Sequence, residues 1–250
     1  MDRINYVIFI FLLVANSYAQ QSLTVDYKIT FNSQKVENDT IKKHLNKIED
    51  APEVVKTYSK GIALLSSIKM ILNANQNSAV FTGVNQIDND VNPFESKLAK
   101  IMSELETKYY YNIKPNECKK WFNFLNKKYI YKDSISTKNW KITNQSKTID
   151  KYVCYLATTD YIEYVNGKKQ LHKVSAWFAP EIPFRFGPRG FYNLPGLILE
   201  LNFKTLIYTA TQIKFHKNGQ ELEKIPKGEF ISKEELSHKI AKLKEERRNN

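Results

Sequence analysis

A chain of 250 residues, 42% hydrophobic, 26% charged and 13% aromatic, excludes a disordered tail, a collagen-like fibre and a small cysteine-stapled scaffold. Only 8 Gly and 8 Pro, with a mean hydropathy of −0.48, exclude low-complexity sequence and a multi-span membrane protein. What remains is a globular chain, long enough to bury a core, that carries 38 Lys+Arg against 26 Asp+Glu and a formal charge of +12.

The first residues read as a leader rather than as fold. Arg3 supplies a positive charge, residues 6–15 are an apolar run, and Asn16-Ser-Tyr-Ala19 offers small residues at a cleavage step. That order is a secretory signal peptide over residues 1–19, and the run is shorter than the roughly 20 residues that span a bilayer. Cleavage after Ala19 starts the mature chain at Gln20 and leaves the charge at +12, because Asp2 and Arg3 depart together. No later segment is long and apolar enough to cross a membrane. The mature protein is therefore expected in the periplasm or outside the cell, without a transmembrane segment.

Leu23, Val25, Tyr27, Ile29 and Phe31 alternate with polar residues, which predicts a half-buried strand. Residues 39–60 are charged, with apolar positions loosely at helical spacing. They predict a short helix or long loop interrupted by Pro52. A strand follows over 62–72, turn chemistry at 73–78 (NANQNS) and a short strand over 79–82. Pro93 then opens an amphipathic helix whose apolar stripe is Phe94, Leu98, Ile101, Met102 and Leu105, with Glu95 in its first turn.

Tyr109-Tyr-Tyr111, Trp121-Phe122, Phe124 and Tyr129-Ile-Tyr131 are aromatic clusters at strand spacing. The clearest hairpin joins 152–164 to 171–178 through Asn166-Gly167, the pair a two-residue turn prefers because both positions need positive φ. Pro180, Pro183, Pro188 and Pro195 then forbid a regular central strand across 179–196, so this stretch is a defined, packed-down loop. Its close, Asn193-Leu194-Pro195-Gly196-Leu197-Ile198, reads as a type II turn with Pro195 and Gly196 at its centre, and Asn193 can also take a left-handed conformation. Leu197, Leu199 and Leu201 are expected to leave the turn on one strand face. Strands are predicted over 197–202 and 206–215. Ser232, with Glu235 as the partner in a capping box, starts a charged helix to the end. The fold class is mainly β (α+β): a single strongly curved antiparallel sheet or half-open barrel, with one internal amphipathic helix and a C-terminal helix. The domain spans 20–231 and the charged helix or tail 232–250.

Cys118 and Cys154 allow one disulfide in an oxidising compartment, the other reading being two semi-buried thiols. The basic excess does not indicate nucleic acid, because lysines are scattered and no nucleic-acid-binding signature aims them. They serve as solvated strand faces and guarded edges, and allow weak attraction to anionic lipid or glycan surfaces.

WKIT at 140–143, the strand over 148–159, Ala176-Trp-Phe-Ala-Pro-Glu-Ile-Pro183, Gly187-Pro188 and Asn193-Leu-Pro-Gly-Leu-Ile-Leu199 together resemble the GLPGLI family, exported Bacteroidetes proteins of unknown function. The resemblance covers roughly residues 20–216 and is strongest over 140–215. The family's first Gly is Asn193 here, and its acidic-Gly-Pro step is replaced by Arg185-Phe186-Gly187-Pro188. The resemblance implies a bowl-like fold, similar to the N-terminal domain of a bacterial N-glycanase. Family members are often encoded near TonB-dependent outer-membrane transporters, so the resemblance implies such a transporter, or an envelope lipid or glycan, as a partner.

Catalytic signatures are thin. His44, His172, His216 and His238 have no metal spacing, and there is no GxSxG elbow, P-loop or dinucleotide motif. Cys154 with His172 as nucleophile and base is weaker than a structural reading of both. Asp160, Glu163, Glu181 and Glu200 supply carboxylates that glycoside or peptide hydrolysis would need close together. The favoured function is a non-catalytic envelope binding or accessory module associated with outer-membrane uptake, needing no cofactor and no nucleic acid. The alternative is a hydrolase using carboxylates near the Pro-rich loop. The candidate ligand residues are Trp177, Phe178, Glu181, Phe184, Phe186, Phe191 and Tyr192. Two roles for these rings stand side by side: the rim of a concave sheet facing a transporter, lipid or glycan, and a plug that completes the core.

Overall fold

Alternating burial organises the molecule from its first strand. In β1 (Ser22–Phe31), Leu23, Val25, Tyr27 and Ile29 are all buried, and in β2 (Ile68–Asn75), Ile68, Met70, Leu72 and Ala74 repeat the pattern. The computed structural model describes residues 22–32, 51–88, 90–133, 139–165 and 168–249. The leader at 1–19, the start of the charged segment at 39–50 and the Asn166-Gly167 turn lie outside the described residues.

The remaining strands are β3 (Ser78–Asn85), β4 (Lys108–Asn112), β5 (Glu117–Phe124), β6 (Lys127–Asp133), β7 (Lys141–Ile149), β8 (Tyr152–Val165), β9 (Lys168–Ala179), β10 (Leu197–Phe203), β11 (Leu206–His216) and β12 (Glu229–Phe230). They form one sheet of 12 strands in the order β12-β6-β5-β4-β3-β2-β1-β11-β10-β9-β8-β7, open rather than closed into a barrel. Every pairing is antiparallel except the short β12–β6 contact, which is parallel. β8 and β9 pair from Tyr155↔Phe178 to Val165↔Lys168, the register of a two-residue connection.

The 60s differ from the sequence expectation. Helix α1 runs Ala51–Ala63, with Pro52 in its first turn, where no intrahelical N–H is required, so the proline starts the helix instead of interrupting it. A 3-10 turn, Leu64–Ser67, continues it, and β2 begins only at Ile68. Gly61, Leu65 and Ile68 are the buried positions there, a helical spacing that the apolar run concealed.

Helix α2 (Pro93–Ser103) starts as expected. Asn92 caps it, its side-chain oxygen accepting from Phe94 N at 2.9 Å and Glu95 N at 3.4 Å. Its inward face is narrower than the apolar stripe: Glu95, Ala99 and Ser103 are buried, while Phe94 and Ile101 are 64% and 63% exposed. Close approach of α1 explains this. A Cβ on Gly61 would lie 2.7 Å from Leu98 Cδ2 and 3.2 Å from Glu95 O, and Lys60 reaches Glu95 at 3.7 Å.

The stretch between β9 and β10 fills the concave side. Ile182, Phe184, Phe186, Phe191, Tyr192 and Leu194 are all no more than 2% exposed. Two sheet tyrosines hold its backbone: Tyr111 donates to Gly187 O at 2.7 Å and accepts from Gly190 N at 2.9 Å, and Tyr27 donates to Ile198 O at 2.6 Å. Such partners are what permit an irregular segment to be buried. The turn at its end is not type II. Gly196 N donates to Leu194 O at 2.8 Å, a three-residue turn about Pro195, and Gly196 has φ 156° instead of about 80°. Asn193 does adopt positive φ, at 76°. A bulge at Leu199 resets the alternation of β10, so Leu197, Ile198, Leu199 and Leu201 are all buried and the expected one-face pattern is broken.

After β11 the chain crosses the outer face of β4 and β5, where Glu223 meets Lys108 at 2.5 Å and Lys227 O accepts from Trp121 Nε1 at 3.3 Å. β12 then caps the β6 edge, and Ser232 and Glu235 exchange the two bonds of a capping box, at 3.1 and 2.8 Å, to begin helix α3 (Lys233–Asn249).

Candidate functional site

Strand parity places the rings of β5 and β6 on the concave side. Lys120 stands opposite Tyr109 and Tyr131, and Phe122 opposite Tyr129, so Lys120, Phe122 and Phe124 share a face with Tyr129 and Tyr131. Tyr161 of β8 faces them, resting on Phe203 and Phe191 at ring-centroid distances of 5.1 and 6.1 Å. The C-terminal end of α2 forms the floor and the first turns of α3 the roof. Between them lies a cleft of about 560 Å³, lined by Phe122, Phe124, Tyr131 and Tyr161 with Leu236 and Ile240.

The floor is an ion-paired network that links the plug to α2. Glu104 caps α2 with φ 54°, and Arg189, in the 3-10 turn Pro188–Gly190, also has φ 54°. Arg189 Nη2 meets Glu104 Oε1 at 2.8 Å, and its Nη1 donates to Tyr208 Oη at 2.9 Å and Met102 O at 3.3 Å. Lys120 meets the other carboxylate oxygen at 2.9 Å, and the Tyr109 hydroxyl donates to the same atom. Burial by itself would raise the Glu104 carboxyl, but Arg189 and then Lys120 outweigh it and hold the group well below the usual carboxylate range. Arg189 is correspondingly more firmly protonated: burial opposes its charge, and Glu104 more than compensates. Lys120 lies over the rings of Tyr109, Phe122 and Tyr131 at 5.5, 5.9 and 5.6 Å, and Lys233 of α3 lies over Tyr131 and Tyr161 at 5.7 and 5.2 Å.

A second cleft of about 560 Å³ lies along the outer side of α2, lined by Ile87, Val91, Lys97 and Lys100 among others. Ile101, Glu104 and Thr107 line both clefts, so the end of α2 is a wall common to the two.

The residues singled out in the Pro-rich loop fall elsewhere. Phe178, Phe184, Phe186, Phe191 and Tyr192 are no more than 2% exposed; Phe178 is a core residue of β9 and the other four rings form the plug, not a rim. Trp177 is half-buried on the opposite sheet face, with Lys147 Nζ 4.6 Å from its ring centroid, and Glu181 is exposed. Cys118 on β5 and Cys154 on β8 are two buried thiols rather than halves of a disulfide. Burial pushes the Cys154 thiol up to about 11, with Lys147 opposing, so it is no ready nucleophile. His172 pairs with Tyr161, seven residues along β8 from Cys154, roughly 23 Å at a strand's rise, so the imagined couple is not assembled. Three of the four carboxylates are held by basic partners, while Glu200 and the exposed Glu181 both act on the buried Cys154 thiol. Asp160 pairs with Lys173 at 2.7 Å, Glu200 with Lys147 at 2.7 Å, and Glu163 with Lys204 at 2.5 Å and His172 at 3.2 Å. Among the described residues no three His, Cys, Asp or Glu side chains gather as metal ligands, and no helix is long and apolar enough to cross a membrane.

Two solved structures of PNGF-II, in the P21 and C2 space groups, match over 90% of this chain with TM-scores of 0.50 and 0.51. The fold is similar to that of PNGF-II. Sequence identity is only 14% and 16%, and the chain spans 33% of the length of those chains. Residues 162–200, from the β8–β9 hairpin through the plug to β10, match the model of a family described as a protein of unknown function (Porph_ging). No curated protein is detectably similar in sequence.

The cleft residues were in view in the sequence but not joined there. Phe122 with Phe124, and Tyr129 with Tyr131, are spaced by two and so share a face, which was the available signal. Glu104, Lys120 and Arg189 carried no local signal, because their meeting depends on the plug folding back over the sheet.

Proposed function

We propose that this chain is an exported envelope protein of the GLPGLI type, periplasmic or secreted, that binds a ligand without transforming it and serves as an accessory to outer-membrane uptake. The leader-like order of residues 1–19 and the motif ending in Asn193-Leu-Pro-Gly-Leu-Ile198 support the first part of that reading. The observation that carries the second is the state of the acids in the aromatic cleft. Glu104 is held ionised by Arg189 and Lys120, and Glu163 is engaged by Lys204 and His172. Both carboxylates are tied to basic partners, whereas the apolar walls provide a surface for association.

The test is binding of the labelled full chain to immobilised glycans and short peptides, with mass spectrometry of each bound compound. Saturable binding that weakens in Ile101→Gln, with the ligand recovered at unchanged mass, is the expected result. Recovery of cleaved product overturns the reading in favour of a hydrolase, and absence of binding to both classes overturns it altogether.

A further inference from the structure

Resting on that binding reading, we propose that β12 and α3 are a lid on the aromatic cleft: residues 229–249 close over it through one buried side chain, Ile231, and a ligand enters when they lift. Three observations lead there. The first is how lightly the segment is held. Of the described residues after His216, only Ile231 is buried, at 7% exposure, and Leu236, Ile240 and Leu243, the apolar stripe of α3, are half-buried. β12 adds two exposed residues in a parallel pair with Tyr129 and Ile130, and Ile231 N donates to Ile130 O at 3.0 Å. An element with so few buried contacts opens locally at a small fraction of the free energy that unfolds a core strand.

The second is where the anchor packs. Ile231 joins Tyr129 and Tyr131, with Phe122, Phe124 and Leu236 against them, in a cluster separate from the main core of β1, β2 and the plug. Lifting the lid therefore leaves the packing of β1, β2 and the plug in place. The preceding stretch stays behind as a tether. Glu223 on Lys108 and Lys227 O on Trp121 Nε1 hold it to the outer face, and Gly228 lies so close to β6 that a Cβ would be 2.9 Å from Ile130 Cγ1.

The third is what the lid covers. Tyr131 and Tyr161 line the cleft yet are only 7% and 8% exposed. Lys233, the first residue of α3, lies over both rings, and Leu236, Ser237 and Ile240 wall the same side. With α3 down, the protein's own ammonium group takes the place over these faces that a ligand would use. With α3 up, Phe122, Phe124, Tyr131 and Tyr161 form an open aromatic surface on a sheet that has not moved. A ligand then selects the lifted state, and its apparent affinity is reduced by the population of that state.

The experiment is hydrogen exchange by mass spectrometry on the full chain, with Nile red fluorescence as the probe of the uncovered cleft. It compares the wild type, Ile231→Asn and the conservative Ile231→Val. In the wild type, amides of 237–246 should be at least about a hundredfold less protected than those of β1 and β11. Ile231→Asn should lower protection across 229–246 about tenfold further and raise Nile red fluorescence, with β1 and β11 protection and the urea midpoint unchanged. Ile231→Val should behave as the wild type. Any glycan or peptide that the full chain retains should associate with Ile231→Asn about tenfold faster. Protection of 237–246 equal to that of β1, loss of β1 protection in Ile231→Asn, weaker lid protection with no gain in Nile red, or a ligand that associates equally fast with both proteins overturns the inference. Failure of every glycan and peptide to bind either protein, with the exchange and dye results as expected, overturns the binding reading alone.

Discussion

Gly196 should be the most sensitive single position in the plug, for a reason of contact rather than of turn type. A Cβ there would stand 2.3 Å from Ala179 O, 2.6 Å from Ala179 C and 2.9 Å from Pro180 Cα. All three are backbone atoms, and Leu197 pairs with Ala179 at the same place, so no side chain can swing aside. Relief requires β9 and β10 to part by about 1 Å, at a packing cost of about 1–3 kcal/mol. Weakening the adjacent Leu197 N to Ile182 O bond adds about 1 kcal/mol. Gly196→Ala should therefore destabilise the fold by about 2–4 kcal/mol, or about 5–15 °C in Tm for a chain of this size. Pro195 is exposed, and Pro195→Ala keeps the Gly196 N to Leu194 O bond, so it should cost under about 1 kcal/mol. Urea titration followed by Trp fluorescence measures both. If Gly196→Ala were as stable as the wild type while Pro195→Ala was not, proline geometry and not backbone proximity would govern this corner.

Two further outcomes follow from the buried groups. Glu104→Gln leaves Arg189 buried opposite a neutral amide and should cost about 3–5 kcal/mol at neutral pH. Because the folded carboxyl is depressed, its contribution is complete above the ordinary carboxyl value of about 4.3 and is lost as pH falls toward the folded value. The stability gap between wild type and variant should hold steady above about pH 5 and narrow on acidification; narrowing already near pH 6–7 would contradict the network. The thiols should stay silent toward iodoacetamide in the folded protein at pH 8 and react on unfolding, with Tm indifferent to reductant. A gain of two hydrogens on reduction, seen by mass spectrometry, would show a disulfide instead.

What the sequence disclosed was whatever local chemistry decides. The β8–β9 pairing, the Pro93 helix start and the Ser232–Glu235 capping box rest on residues close in the chain. The α2 stripe was legible as a set of residues able to share a face, but not which edge of that face would be inward. Gly61 on α1 decided it by bringing Leu98 and Glu95 in and turning Phe94 and Ile101 out. The rings of the Pro-rich segment had two readings of equal local merit, and only the distant tyrosines Tyr27 and Tyr111, with hydroxyls for its backbone, made burial of that segment feasible. The aromatic cleft depended on β5, β6, β8 and α3 arriving together, which no window of sequence contains.

The position of β1 bears on how the molecule can be made. It lies between β2 and β11 in the middle of the sheet, and Thr24 is bonded to His216, 192 residues away. During synthesis the first described strand therefore waits, one ladder unfilled, until β11 emerges. Closing so long a loop is slow, and a bare hydrophobic ribbon invites sticking to neighbours in the interval. Shielding of the nascent chain, more than the stability of the finished sheet, should limit its yield.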